Sequence, residues 1–482
     1  MSRLRAPSAS TRRGPDVDLD IDALSASGDG LATLGGARIT VPFTIPGERV
    51  RVCVSDRLGG PPAAALLEVL RASPHRVTPR FRHFGVNAAP GLGPCGGCTW
   101  QHIAYPHQLR LKTALVDRLV RAVVPIAPPV RDTIATTPLD DPWGYRNKVH
   151  FVFGNEGAEL VMGHYVRGTR RVIPVVECPV HDARGNALAF AARDTFAAAG
   201  LQSSDGDRRP RAQSRGLPRA ESRGTLRSLA IRVGCRTSEI MATLIVSDDR
   251  DRRVRAATRR LLERSPPTSM HLNVHSRADA FIFGPSTRQL AGSARMREEV
   301  AGASFLMSPA AFFQTNVRAA EVLVRLVCEA VPRASRVLDL YAGSGLFAIP
   351  LAAGGNDVVA VEQSRLSIAD GDAALKLNPA AQGRCRFIAR RVESALASLR
   401  GADVVVLDPP REGCAPSVLR DVFGRLNPSR AVYVSCNPEA LATDLGQICR
   451  NGYKISSIQP VDMFPNTAHI ETVAVLVRAN RG

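Results

Sequence analysis

The sequence predicts a multidomain chain: a small N-terminal β-barrel, an α/β central domain, and a C-terminal α/β domain on an open parallel sheet. Three observations predict it. Residues 16 to 72 read as short strands broken by glycine and proline (VDLDIDALS, GLATLGGARITVP, ERVRVCVSD, AALLEVL). Residues 126 to 302 mix strand-like runs, such as GYRNKVHFVFG, RRVIPVVECPV, LRSLAIRVGC and EIMATLIVS, with helical stretches. From 303 to 482, apolar runs (RVLDLYAG, DVVAVE, CRFIAR, ADVVVLDPP, AVYVSC, ETVAVLVR) alternate with helical ones. That is the pattern of a parallel sheet covered on both faces.

The totals agree with this division. At ~150 residues per domain, 482 residues make about three domains. A 45% hydrophobic content excludes wholesale disorder. No run approaches ~18 uninterrupted apolar residues, so no membrane span is expected. Lys and Arg number 63 against 44 Asp and Glu, a net charge of +19. A polyanion would neutralise that excess, and nucleic acid is the commonest one; a general arginine bias is the competing reading. Ten cysteines at uneven spacing suit a reducing compartment better than a disulfide framework, so a cytoplasmic protein is expected.

The elements follow in order. Residues 1–15 hold arginines and serines without an acid, as transit peptides do, but lack an apolar face; a disordered tail is expected. The barrel of 16–72 is of a kind that binds single-stranded nucleic acid. Residues 73–125 hold a glycine-rich loop, GVNAAPGLGPCGGC, and a helix from about His107 to Val123. Cys95-x-x-Cys98 in that loop reads as half of a metal site. Within the central domain, 202–225 is polar, basic and proline-bearing, and is expected to be a disordered insertion.

In the C-terminal domain, the strand ending at Tyr341 turns through Gly343 and Gly345, where backbone can pass close to a ligand. Glu362 ends the next strand, 23 positions after Asp339, close to the ~20 expected of an acid that holds ribose hydroxyls. The turn is neither G-x-G-x-x-G nor a phosphate-binding loop. It suits S-adenosylmethionine, and an ordinary strand-to-helix loop is its bland reading. Asp408-Pro409-Pro410 ends the fourth strand, with two fixed φ angles aiming the Asp408 carboxylate. Cys436 ends the fifth, just before a helix opened by Pro438. Alternation puts His469 and Glu471 on one side of the last strand, with Glu471 in apolar surroundings where a carboxylate becomes a candidate base. A salt bridge to one of the many arginines is the alternative. Cys414 begins a helix and is aimed away from the strand ends.

A methyl donor, a thiol and a base solve one problem together. C5 of uracil is a poor nucleophile. A thiolate adding to C6 gives C5 carbanion character; C5 takes the methyl, and a base removes its proton. The nucleotide must be unstacked to be reached.

Five ordered motifs carry a resemblance over residues 16 to 480: SPAAFFQTN (308–316), LDLYAGSG (338–345), DPPREG (408–413), VSCNP (434–438) and FPNTAHIE (464–471). The chain resembles the RNA uracil-C5 methyltransferases, in the branch with an N-terminal TRAM domain that includes the 23S ribosomal RNA enzymes. The resemblance implies a Rossmann-like S-adenosylmethionine domain, an OB-like TRAM barrel, Cys436 as nucleophile and Glu471 as base. It implies that Gln314, Tyr341, Glu362 and Asp408 contact the donor; FFQTN alone reads as a helix start capped by Asn316. Ribosomal RNA is the expected partner, transfer RNA the alternative, and the chain is expected to be a monomer.

Two departures stand out. Arg390 and Arg391 occupy the place of a Gly-Asp pair near the adenine. Relatives also carry a four-iron cluster on four cysteines; here Cys95, Cys98 and Cys178 remain, and Phe81 stands in the first position. Three thiolates are compatible with a cluster completed by another ligand, a three-iron form or none; zinc with His83 is a further reading. Two other functions stay in view. One is a cytosine-C5 methyltransferase, which the pairing of SCNP with HIE fits less well; the other is an RNA-binding or folding protein with a decayed site.

Overall fold

The computed structural model describes residues 13–55, 63–85, 94–204, 224–277 and 282–479. The tail of 1–15 and the insertion of 202–225 fall largely outside them. The chain forms two compact units: 1–142 with 329–331 and 396–482, and 143–328 with 332–395.

The first unit opens with six strands: β1 (Arg13–Asp20), β2 (Ala23–Leu24), β3 (Gly30–Leu34), β4 (Ala37–Val41), β5 (Arg49–Ser55) and β6 (Ala63–Arg71). They form one sheet in the order β1-β5-β6-β4-β3-β2. Alternation drives it: Val50, Val52 and Val54 of β5 enter a core with Leu19, Ile21, Ile39 and Val41. Arg51, between them, faces out and bonds Asp18 across the sheet at 2.9 Å. Glu48, fully buried, ties this sheet to the chain that leaves it, because both its oxygens take Arg76 at 2.6 and 2.7 Å. α1 (Tyr105–Val123) follows, with proline in its first turn.

The second unit holds a seven-stranded sheet in the order β13-β12-β11-β10-β7-β8-β9. Its strands are β7 (Lys148–Glu156), β8 (Glu159–Tyr165), β9 (Val172–Pro174), β10 (Leu226–Val233), β11 (Ile240–Val246), β12 (Ser269–Val274) and β13 (Ser286–Gly292). Val149, Phe151 and Phe153 of β7 point to one face. There Phe151 meets Phe190, and Phe153 meets Phe196, both on α2 (Ala183–Ala198), which packs beside α3 (Arg252–Arg264). A hairpin, β14 (Met296–Val300) and β15 (Ala303–Met307), leads to three parallel strands: β16 (Arg336–Leu340), β17 (Asp357–Glu362) and β18 (Cys385–Ala389).

The C-terminal part of the first unit pairs β19 (Val404–Leu407) with β20 (Arg430–Ser435) in parallel. Then the direction reverses. β22 (Glu471–Arg478) runs antiparallel to β20 and to β21 (Tyr453–Val461). This corrects the expectation of a wholly parallel sheet; YKISSIQPV does not read as a strand because serine and proline interrupt its apolar run. The helix Pro438–Arg450 packs on α1 so closely that a Cβ at Gly446 would lie 2.6 Å from Val123 Cγ1.

Candidate active site

Three loops of the first unit build a reactive cluster. After buried Val432, Tyr433 and Val434, Ser435 closes a tight turn. Its Oγ donates to the Asn437 carbonyl at 3.0 Å and accepts the Asn437 N–H at 3.1 Å. Asn437 Oδ1 caps the next helix by accepting the Glu439 N–H at 3.0 Å. Its Nδ2 donates to the Arg411 carbonyl at 2.8 Å, tying the VSCNP and DPPREG loops together. Asp444 holds the far end of DPPREG, accepting from the Cys414 N–H at 2.8 Å and from the Tyr433 hydroxyl at 2.5 Å. Cys414 is thus buried beside Tyr433 and Asp444, as a packed side chain.

The FPNTAHIE loop is held just as firmly. Asn466 takes φ +63°, a conformation asparagine tolerates. Its N–H and Oδ1 engage Gln108 at 2.9 and 3.1 Å, its Nδ2 the Pro142 carbonyl at 2.9 Å, and its carbonyl the Trp100 N–H at 2.9 Å. Lys112 Nζ, fully buried, bonds Asp462 at 2.5 Å and the Phe464 carbonyl at 3.2 Å. β22 starts only at Glu471, so alternation does not reach back to His469. His469 is exposed while Glu471 is 5% exposed, which corrects the expectation that they share a side.

These loops bring Cys436, Asp408, Glu471 and Arg411 into one electrostatic field. Burial, then the Glu471 charge, push the Cys436 thiol up to about 11; Asp408 adds to this and Arg411 opposes it. Burial and Asp408 hold Glu471 well above the usual carboxylate range, again against Arg411. Burial alone raises Asp408 to about 7. Cys436 and Glu471 therefore share the Arg411 cation while Asp408 opposes both, and the three acids cannot all be ionised cheaply. Arg411 is the group that favours the thiolate. Sequence reasoning assigns it no role, since one arginine among so many carries no local signal. Gln108 and Lys112 escape it too, although two polar residues one turn apart on the apolar stripe of Leu115, Val116 and Val120 mark a buried polar contact.

In the second unit, Tyr341, Gly343 and Gly345 all take positive φ, making a sharp turn after β16. A Cβ at Gly345 would lie 2.9 Å from Phe387. Glu362 ends β17, and its two oxygens accept the Gly343 N–H at 3.0 Å and the Ser364 N–H at 2.7 Å. The carboxylate is fixed, yet keeps lone pairs able to accept further hydrogen bonds. The SPAAFFQTN segment is pinned along its length. Asp370 takes both the N–H and Oγ of Ser308, at 2.7 and 2.6 Å. Arg232 reaches the Ala311 carbonyl at 3.0 Å, and Asn147 the Gln314 carbonyl at 3.2 Å. Asn316 caps the following helix through the Ala319 N–H at 3.2 Å. Arg391 is exposed and pairs with Glu393 at 3.5 Å.

The metal expectation finds no support. Among the described residues, no group of three or more His, Cys, Asp or Glu could hold a metal ion. Cys95, Cys98 and Cys178 are buried, and the first ligand position holds Phe81, whose ring cannot ligate and packs edge-on against His83 at 5.0 Å. The donor set of the described residues therefore fits neither an iron–sulfur cluster nor a zinc ion.

Comparison with known proteins places this geometry. Residues 235–479 match the family model described as tRNA (uracil-5-)-methyltransferase. An uncharacterized RNA methyltransferase of Gloeobacter violaceus is 35% identical, over 97% of each chain. One of Halalkalibacterium halodurans is 31% identical over the full length of both. The crystal structure of Pyrococcus abyssi tRNA (uracil-54, C5)-methyltransferase with S-adenosyl-L-homocysteine superposes with TM-score 0.74 at 25% identity, covering 96% of this chain and all of that one. The described residues contain no helix long and apolar enough to cross a membrane. With the family model spanning half the chain and relatives aligned end to end, this chain belongs to the tRNA (uracil-5-)-methyltransferase family and is an S-adenosylmethionine-dependent RNA (uracil-C5-)-methyltransferase.

Proposed function

We propose that Cys436 is the nucleophile and Glu471 the base in methylation of a uridine in 23S ribosomal RNA. The observation that carries these roles is the common field of Cys436, Glu471, Asp408 and Arg411. Beside Arg411, the thiol gives its proton to solvent and Sγ bonds to C6, while the C5=C6 pair becomes an enolate over C5 and O4. S-adenosylmethionine, when bound, would supply an electrophilic methyl group to the enolate carbon, its methyl–sulfur bond breaking and the electron pair staying on the sulfur of S-adenosylhomocysteine. Glu471 then removes the C5 proton; the pair re-forms C5=C6, and the C6–S bond breaks. Burial that raises Glu471 also makes its carboxylate a stronger base once ionised. Gln314, Tyr341, Glu362 and Asp408 would hold the donor. The N-terminal six-stranded sheet is assigned as a TRAM-type barrel gripping RNA backbone, with the net charge of +19 assisting.

Transfer RNA is the second reading, favoured by full-length likeness to the Pyrococcus abyssi enzyme. Mass spectrometry of nucleosides from each RNA pool, with and without the gene, tests both. Loss of 5-methyluridine from 23S RNA alone supports the first reading, and loss from transfer RNA alone replaces it. No loss in either pool, with redundancy excluded, moves the cytosine and decayed-site readings ahead.

A further inference from the structure

One face of the seven-stranded sheet gathers positive groups; Asp370 and Glu298 act on Arg232, but no acid among the described residues acts on Lys148. β7 and β10 pair antiparallel with Lys148 opposite Arg232, so Lys148, His150 and Arg232 share that face. Arg232 is 2% exposed and already engaged, with Nη1 on Met307 Sδ at 2.9 Å and Nη2 on the Ala311 carbonyl. Lys148 is different. It forms no hydrogen bond or ion pair with any described residue, and its one contact of note is the Phe283 ring, 5.2 Å from Nζ to centroid. His150 meets the same ring edge-on at 5.6 Å, and its Nδ1 is buried without a partner among the described residues. Among the described residues, the charged group that acts on Lys148 is Arg232, which repels it.

A desolvated ammonium facing another cation is costly unless an anion completes the site. The ring offsets part of that cost. Lys148 stays partly exposed, so an anion can reach it. Burial and neighbouring cations hold His150 down to about 3, so it is a neutral N–H donor rather than a second charge. One ammonium, one neutral imidazole and a flat aromatic surface match a singly charged phosphodiester with a ribose or base beside it.

We propose that Lys148 and His150, framed by Phe283, bind a backbone phosphate of the RNA substrate. The proposal rests on the RNA-methyltransferase reading and deepens it by naming a contact in the central domain. The phosphate would compensate the ammonium, and the site therefore trades stability of the free protein for grip on RNA.

The test uses the full chain with Lys148→Met and Lys148→Arg, and bulk 23S RNA and bulk transfer RNA as probes. Affinity is measured across ~50 to 200 mM salt, and thermal melting without RNA. Lys148→Met is expected to weaken binding of the preferred RNA about tenfold and to flatten the slope of log affinity against log salt by about 0.7–0.9, one phosphate contact. It should melt at or above the parent's temperature, because an unpaired buried charge is gone. Lys148→Arg should keep the parent's slope. Unchanged affinity and slope in Lys148→Met overturn the proposal, and so does weaker binding that tracks a lower melting temperature, the mark of a structural lysine. Inorganic phosphate at millimolar concentration is the third probe. If it displaces RNA through Lys148 as well as excess RNA does, the site is one for free phosphate and the RNA assignment falls. The readout is binding, so it stands apart from chemistry: if the parent made no 5-methyluridine while the Lys148 slope change persisted, the methylation reading would fail and the phosphate site would remain.

Discussion

Two regions of this protein face opposite electrostatic problems. At the end of β20, three acids crowd together, Cys436, Asp408 and Glu471, and among the described residues one cation, Arg411, acts on Cys436 and Glu471. On the polar face of β7 and β10, Lys148 lies opposite Arg232 and meets no acid among the described residues, although Asp370 and Glu298 act on Arg232 itself. Two other buried charges are balanced. Buried Lys112 faces Asp462, and buried Glu48 faces Arg76. Imbalance therefore marks where something else is to bind or react. The acid-rich cluster discharges through bond making, while the basic face needs only a counter-charge. The first should govern turnover and the second affinity.

The largest effects test that division on the chemical side. Cys436→Ala should lower turnover by on the order of 10⁴-fold or more and abolish any covalent RNA adduct on a denaturing gel, with RNA affinity kept. Residual turnover near the parent's rate would remove Cys436 from the nucleophile role. Glu471→Gln should cut turnover by about 10²–10⁴-fold while the adduct accumulates, because the C5 proton stays on. Parent-rate turnover would place the base elsewhere. Arg411→Met should leave the thiol harder to ionise. The rising limb of the pH–rate profile then moves to higher pH, with about a tenfold loss at neutral pH for each pH unit moved. An unmoved limb would mean that Arg411 does not act on Cys436.

Stability against pH separates the two regions further, because they should slope in opposite directions. Glu471 titrates higher folded than its ordinary 4.5. Between these values the folded state holds the extra proton, so stability falls as pH rises through the window, by at most ~1.4 kcal/mol per pH unit. Lys148 titrates lower folded than its ordinary 10.5. There the unfolded state holds the extra proton, so stability rises with pH up to that value. Glu471→Gln should remove the acidic-side decline, and Lys148→Met the alkaline-side rise. Denaturant melts across pH read both, and parallel curves for parent and variants would show that neither group is as strained as its surroundings imply.

The acid-rich site is more legible in sequence than the basic one, for a physical reason. Cys436, Asp408 and Glu471 each end or begin a strand beside a proline or glycine, or a turn that contains one, and strand ends are readable from apolar runs and turn residues. β16, β17, β19, β20 and β22 are all legible this way. What local pattern cannot carry is contact across the chain. Arg411 matters because the turn at Ser435 and Asn437 holds its backbone, and Lys148 because register sets it opposite Arg232. β21 escapes because its pairing with β22, rather than its own composition, makes it a strand. Phe81 is visible in sequence as a missing thiolate; that it packs against His83 is not.

The smallest effect concerns a third kind of polar site, one that is fully satisfied. Gln108 reaches from α1 to Asn466, which sits five residues before Glu471 and uses its N–H, its carbonyl and both side-chain polar atoms. Such a network fixes a loop without strain in charge, so damage should appear in stability before chemistry. Gln108→Leu leaves the Asn466 N–H buried and unpaired, at a cost of about 1–3 kcal/mol of unfolding free energy. Turnover should fall only a few-fold, since Lys112 still holds the Phe464 carbonyl and Asp462. Gln108→Glu keeps the acceptor for that N–H but loses the amide donor to Asn466 Oδ1, so it should recover part of the stability. If Gln108→Leu instead lost turnover as severely as Glu471→Gln while melting like the parent, the clamp would belong with the reactive cluster. The distinction between satisfied scaffold and unsatisfied site would then fail where it is most exposed to test.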